Sequence, residues 1–274
     1  MLAAVGSCGA CHTAPDGAPY AGGYAIETPQ GTWIGPNLTP DPTHGIGGWT
    51  YADFERAMTR GRSPEGRAYW PAFPYPAYTK LRAQELADLW AYLQTLRPDP
   101  RPDEPHRIGR LTRFPALSLW RLLYFERGAY QDDPSESAVW NRGAYLGEGI
   151  GHCGECHSPR NRHGAVRHDQ ALSGQSDPPE PAPNLTRSSR RLARWTLGDA
   201  ETFFSLGMTA EGDFVGGEML RIVEEGTARL SPAERAALAT WLLSLDPPDG
   251  VPPATPAPRE ADETGDEPDD EPWM

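Results

Sequence analysis

Two pentapeptides hold all four cysteines of this 274-residue chain, Cys8-Gly-Ala-Cys11-His12 and Cys153-Gly-Glu-Cys156-His157. Thiols three positions apart fall on one face of a helical turn, where they can add to the two vinyl groups of a single porphyrin. The histidine that follows is then placed beneath the iron. Cys8, Cys11, Cys153 and Cys156 are therefore candidates for covalent attachment of two haem c groups, with His12 and His157 as iron ligands. Other chemistries suit these residues less well. A thioredoxin-like redox pair wants a βαβ setting, and none is readable here. Structural zinc wants a fourth ligand at short spacing, and neither motif has one nearby. A disulfide framework does not fit a chain this long with so few cysteines.

The elements that must position these motifs occur twice, in the same order. Gly35-Pro36-Asn37-Leu38-Thr39 matches Ala182-Pro183-Asn184-Leu185-Thr186, and Trp49-Thr50-Tyr51-Ala52-Asp53 matches Trp195-Thr196-Leu197-Gly198-Asp199. Ser63-Pro64-Glu65-Gly66 matches Thr209-Ala210-Glu211-Gly212. A period this long means two copies of a domain, not a solenoid. Each copy closes on an apolar stripe at helical spacing: Leu86, Leu89, Trp90, Leu93 and Leu96, then Leu238, Trp241, Leu242 and Leu245. Ser231, Pro232 and Glu234 give the second closing helix a capping box.

The copies differ at their starts. A helix over 138–150 precedes the second motif, whereas only Met1 to Ser7 precede the first. This predicts a shortened front end in the first copy and a longer precursor with an export signal upstream of Met1; if only this chain exists, the first closing helix lacks a partner and Trp90 and Leu93 are partly bare. The expected architecture is mainly α. Domain 1 covers 1–97, a proline-rich linker with an apolar packing segment covers 98–135, domain 2 covers 136–246, and a disordered acidic tail covers 247–274.

Charge narrows the partners. Net charge is −13, of which residues 246–274 carry −9, so the remaining body holds only −4. That excludes a nucleic-acid binder, which would need a basic face. No run of eighteen apolar residues is present to span a membrane, though peripheral association is compatible with the sequence. Arg187, Arg190, Arg191 and Arg194 form a basic cluster that reads as a docking patch or as a solvated face. His44, His106, His152, His163 and His168 read as surface histidines, although His44, in a glycine-rich loop, could also swing to an iron.

The motifs together resemble class I cytochrome c: CxxCH near the front, GPNL in the middle and an aromatic-bearing closing helix. The longer strings GPNLTPDPTHGIGGWTYADFERAM, SPEGRAYWPAFPYPAYTKL and NRGAYLGEGIGHCGECHSPRN resemble the cytochrome c subunits of periplasmic dehydrogenases for alcohols, gluconate and similar substrates. Many such subunits carry three haems, whereas this chain has two motifs. The resemblance implies two tandem cytochrome c domains and a periplasmic location. It also implies electron transfer from a periplasmic dehydrogenase to a downstream cytochrome or oxidase of a respiratory chain. An alternative is a haem enzyme, or a gas- or peroxide-binding protein, using an open position on the first haem.

The resemblance also assigns residues around the iron. The Pro36 carbonyl should hold the His12 ring and the Pro183 carbonyl the His157 ring. Met219, aligned with Phe73 at the family's usual methionine position, should be the sixth ligand of the second haem. Phe73 cannot bind iron. Counting back from Gly61 and Gly207 sets Met58 opposite Phe204, so Met58 is the candidate ligand of the first haem, with a core role as its competitor.

Overall fold

A computed structural model describes residues 1–28, 31–109, 116–176 and 181–254, and its secondary structure is mainly helical. It divides into two units. The first joins Met1–Gln131 with Glu148–His152, and the second joins Asp132–Gly147 with the residues from Cys153 on.

In the first unit, two short helices, α1 (Leu2–Val5) and α2 (Cys8–His12), lead into a small antiparallel sheet. Its strands are β1 (Ala25–Thr28), β2 (Gly31–Ile34) and β3 (Arg107–Ile108). Helix α3 (Tyr51–Arg60) starts where Thr50 and Asp53 exchange side-chain and backbone hydrogen bonds, and it stops at Gly61, which is left-handed with φ 54°. Its buried face is Phe54, Ala57 and Met58. After the single turn α4 (Tyr75–Tyr78) comes the closing helix α5 (Ala83–Gln94), which buries Leu86, Leu89 and Leu93. Leu93, expected to be partly bare, is only 2% exposed: α1 contacts α5 and buries Ala3 and Val5 alongside it. Trp90 is half-buried and stacks at 5.2 Å on Phe54.

The stretch expected as a stiff linker is partly docked. Residues 99–108 lie along the loop 34–39 of the first unit through hydrogen bonds and β3 pairing. The apolar segment forms α6 (Ala116–Tyr124), with Leu117 and Trp120 buried and Leu119, Leu122 and Leu123 exposed. Just after it, Phe125 meets Tyr75 edge-on at 4.9 Å.

In the second unit, Ser137 caps α7 (Ala138–Tyr145), whose Tyr145 is fully buried. There follow α8 (Gly154–His157), α9 (Leu197–Leu206), α10 (Gly217–Glu225) and α11 (Pro232–Leu242). Helix α9 repeats the design of α3, with a Thr196–Asp199 capping box and a left-handed Gly207 stop. Helix α7 packs on α11 more extensively than any other pair of the described elements. Gly143 and Gly147 permit the approach: a Cβ on either would collide with the Ala237 carbonyl or the Trp241 ring. Of the segment expected as a disordered tail, residues 255–274 lie outside the described residues, while Ala254 N donates to Arg187 O at 2.7 Å.

Glu234 joins both ends of this packing. It completes the capping box of α11 and pairs with Arg142 of α7 at 2.7 Å. Burial pushes its carboxyl up, but the Arg142 guanidinium and the Ser231 amide and hydroxyl outweigh burial and hold it below the usual carboxylate range. A depressed folded value means this stability is present above the unfolded carboxylate pKa and is lost as pH falls through the folded one. Glu234→Ala should cost about 1–2 kcal/mol at neutral pH, with the gap to the parent shrinking below about pH 4. Denaturant melts at two pH values measure this directly.

Candidate functional site

The first motif is the helix α2, entered through Ser7 in a left-handed conformation (φ 49°). The turn sets Cys8 and Cys11 one above the other, and His12 ends it. The loop 34–39 passes so close that a Cβ at Gly35 would overlap the Cys11 carbonyl. This approach lets His12 Nδ1 donate to Pro36 O at 2.7 Å. Gly22 N donates to His12 O at 2.8 Å and Leu38 N to Tyr20 O at 2.8 Å, locking loop to motif.

The second motif repeats the arrangement. His152 is left-handed (φ 38°), His157 N donates to Cys153 O at 3.0 Å, and His157 Nδ1 donates to Pro183 O at 2.9 Å. Gly174 N donates to His157 O and Leu185 N to Leu172 O, both at 2.8 Å, matching the first unit bond for bond. Tyr20 and Leu172, with φ 64° and 60°, occupy equivalent strained positions.

These contacts fix the chemical state of each histidine. Burial lowers the pKa of both His12 and His157, partly opposed by the bond to the proline carbonyl. The rings are thus neutral, with the proton on Nδ1 and a lone pair on Nε2, the form that ligates a metal. No disulfide joins the cysteines. Burial and the adjacent Cys11 push the Cys8 thiol up to about 12, so without a bound group it is a protonated thiol. Among the described residues, no group of three His, Cys, Asp or Glu side chains is arranged to hold a lone ion. Two neighbouring thiols, one oriented imidazole and a glycine-lined approach suit a covalently attached macrocycle.

The structure brings His12 to Pro36 and His157 to Pro183. The two candidate methionines stand on other elements, α3 and α10. Met58 is buried on α3, at the position where α9 has the buried Phe204. Met219 is half-buried on α10. Phe73 is half-buried among the rings of Tyr69, Tyr75 and Tyr78. Within the arginine cluster, Arg187 pairs with Asp246 at 2.8 Å, and Arg191, its side chain only 11% exposed, lies 3.9 Å from Glu211. His44 is exposed, and its N–H caps Asp41.

Sequence reasoning missed the contacts behind Pro36. Asn37 N donates to Asp103 Oδ1 at 2.7 Å, and Asn37 Nδ2 donates to the Asp99 and Arg101 carbonyls at 2.9 Å. Partners more than sixty positions apart leave no local pattern to read.

The family model for cytochrome c matches residues 2–97. A dihaem cytochrome c-type protein of Cereibacter sphaeroides is 40% identical over 254 residues, covering 86% of this chain and 81% of that protein. The chain belongs to the cytochrome c family, whose members bind haem c covalently and transfer electrons. It is also 36% identical over 259 residues to the gluconate 2-dehydrogenase cytochrome c subunit of Pantoea cypripedii, covering 89% of this chain and 58% of that subunit. To a nicotinate dehydrogenase subunit of Pseudomonas putida it is 39% identical over 249 residues, covering 90% of this chain but 21% of that protein. The chain thus spans between 21% and 58% of the length of these dehydrogenase subunits.

Proposed function

We propose that this chain is a dihaem electron carrier of the periplasm, taking electrons from a dehydrogenase and passing them to a downstream cytochrome or oxidase of a respiratory chain. The observation that carries the count of two is the duplicated hydrogen bond, His12 to Pro36 and His157 to Pro183, each on a CxxCH turn. Haem bound at these sites supplies one-electron redox chemistry. The chain would anchor it through Cys8 and Cys11 or through Cys153 and Cys156 and orient the imidazoles through Pro36 and Pro183. Cytochrome subunits of gluconate and alcohol dehydrogenases among the relatives support a dehydrogenase donor. Among the described residues no helix is long and apolar enough to cross a membrane.

On this reading Met219 closes the second iron and Met58 the first. The matched capping boxes and glycine stops of α3 and α9 support an exchange of roles, Met58 with Phe73 against Phe204 with Met219. Met219→Ala should abolish the methionine-to-iron charge-transfer band of the second haem and open it to carbon monoxide. Met58→Ala should do the same at the first haem. An unchanged spectrum in Met58→Ala removes that residue as ligand. Carbon monoxide binding by the unaltered protein at its first haem favours the enzyme or gas-binding reading over the carrier.

A further inference from the structure

We infer that Asp103 is a positioning residue for the first haem, acting on the His12 ligand through a single peptide group. The carbonyl that accepts from His12 Nδ1 (2.7 Å) and the N–H that donates to Asp103 Oδ1 (2.7 Å) belong to the same amide, that between Pro36 and Asn37. Imidazole, peptide and carboxylate therefore form one line of hydrogen bonds. A negative charge on the N–H side polarises the amide toward its oxygen, and hydrogen bonds in series strengthen one another. The stronger acceptor draws on the Nδ1 proton and makes the ring a better electron donor. That favours the oxidised iron and lowers the potential.

The peptide is held for this task. Asn37 is 2% exposed and Thr39 fully buried. Asn37 Oδ1 accepts from Thr39 N at 2.8 Å and from Thr39 Oγ1 at 2.7 Å, while its Nδ2 is taken by the two carbonyls of the 99–101 stretch. Asp99 N in turn donates to Thr39 Oγ1 at 3.1 Å. Partial desolvation pushes the Asp103 carboxyl up, and the Asn37 amide, His44 and His106 pull it back. Asp103 as a whole residue is exposed. In the second unit Asn184 Oδ1 accepts from Thr186 N and Oγ1 at 2.8 Å and its Nδ2 donates to Ser188, and among the described residues no carboxylate accepts from the Asn184 amide.

The inference rests on His12 holding a haem, and the test separates the two. Asp103→Asn, isosteric and uncharged, is matured with both haems, and the couples are assigned through the hyperfine-shifted ring protons of His12 and His157. The first couple should rise by about tenfold in its reduction constant, roughly 59 mV for one electron, while the second stays put. Glu104→Gln removes a neighbouring carboxylate that pairs with Arg101 and not with the peptide, and should move the first couple much less. Equal shifts in the two variants, or none in Asp103→Asn with both haems present, overturn the relay. In the unaltered reduced protein, a through-hydrogen-bond coupling between the Asn37 amide nitrogen and the Asp103 carboxyl carbon is expected, and its absence also overturns it. A chain whose Cys8 and Cys11 carry no haem overturns the underlying reading instead, and this inference with it.

Discussion

Replacing Cys153 and Cys156 together by alanine should yield a chain that matures with one haem and a second unit that no longer folds. A porphyrin removes several hundred Å² of apolar surface from water. At about 25 cal/mol per Å² that is on the order of 10 kcal/mol, comparable with the roughly 5–15 kcal/mol that holds a whole domain together. His157, buried and neutral, would face an emptied interior with Nε2 unsatisfied. Intact mass should fall by one haem, and limited proteolysis should cut the second half while the spectrum of the first haem persists. A double variant that keeps two haems, or keeps its second half protected, contradicts the assignment of these thiols.

The next largest effect is expected at the crossing of α7 and α11. Gly143→Ala adds one methyl group, which would lie inside the Ala237 carbonyl and 2.7 Å from Trp241 Cβ. Alanine alone would favour a helix over glycine by up to about 1 kcal/mol, but here the obstacle is backbone, which cannot rotate away. Forcing the helices apart should cost about 3 kcal/mol and lower the melting temperature of the second unit by more than ~10 °C. Gly198→Ala, on α9 with only Thr196 Oγ1 at 3.8 Å, is the control and should be neutral or slightly stabilising. Calorimetry of both variants decides the matter, and equal melting would show that the close crossing is not what holds the unit.

How much of this was readable beforehand follows from sequence distance. The CxxCH turns, the Ser231 box and the closing stripes are patterns over a few neighbouring residues, and the internal repeat magnifies them because each half checks the other. The sheet was not readable. β1 and β2 have four residues each and β3 two, and β3 comes from a stretch whose prolines announce an extended linker. What docks that stretch is a set of single bonds to distant residues: Asp103 to Asn37, and His106 to the Ile34 amide at 3.1 Å beside the Trp33 ring. Pro36 and Pro183 came from family likeness and not from spacing. Leu93 is covered because even the four residues Leu2–Val5 form a helix that contacts α5.

The central claim is that each half encloses a porphyrin joined to its own CxxCH turn. Intact mass spectrometry of the protein, produced in a host able to attach haem c, tests it most directly. The account predicts a polypeptide heavier by two haems that resist extraction by acid and organic solvent. A bare polypeptide, or one that carries metal without macrocycles, would contradict it.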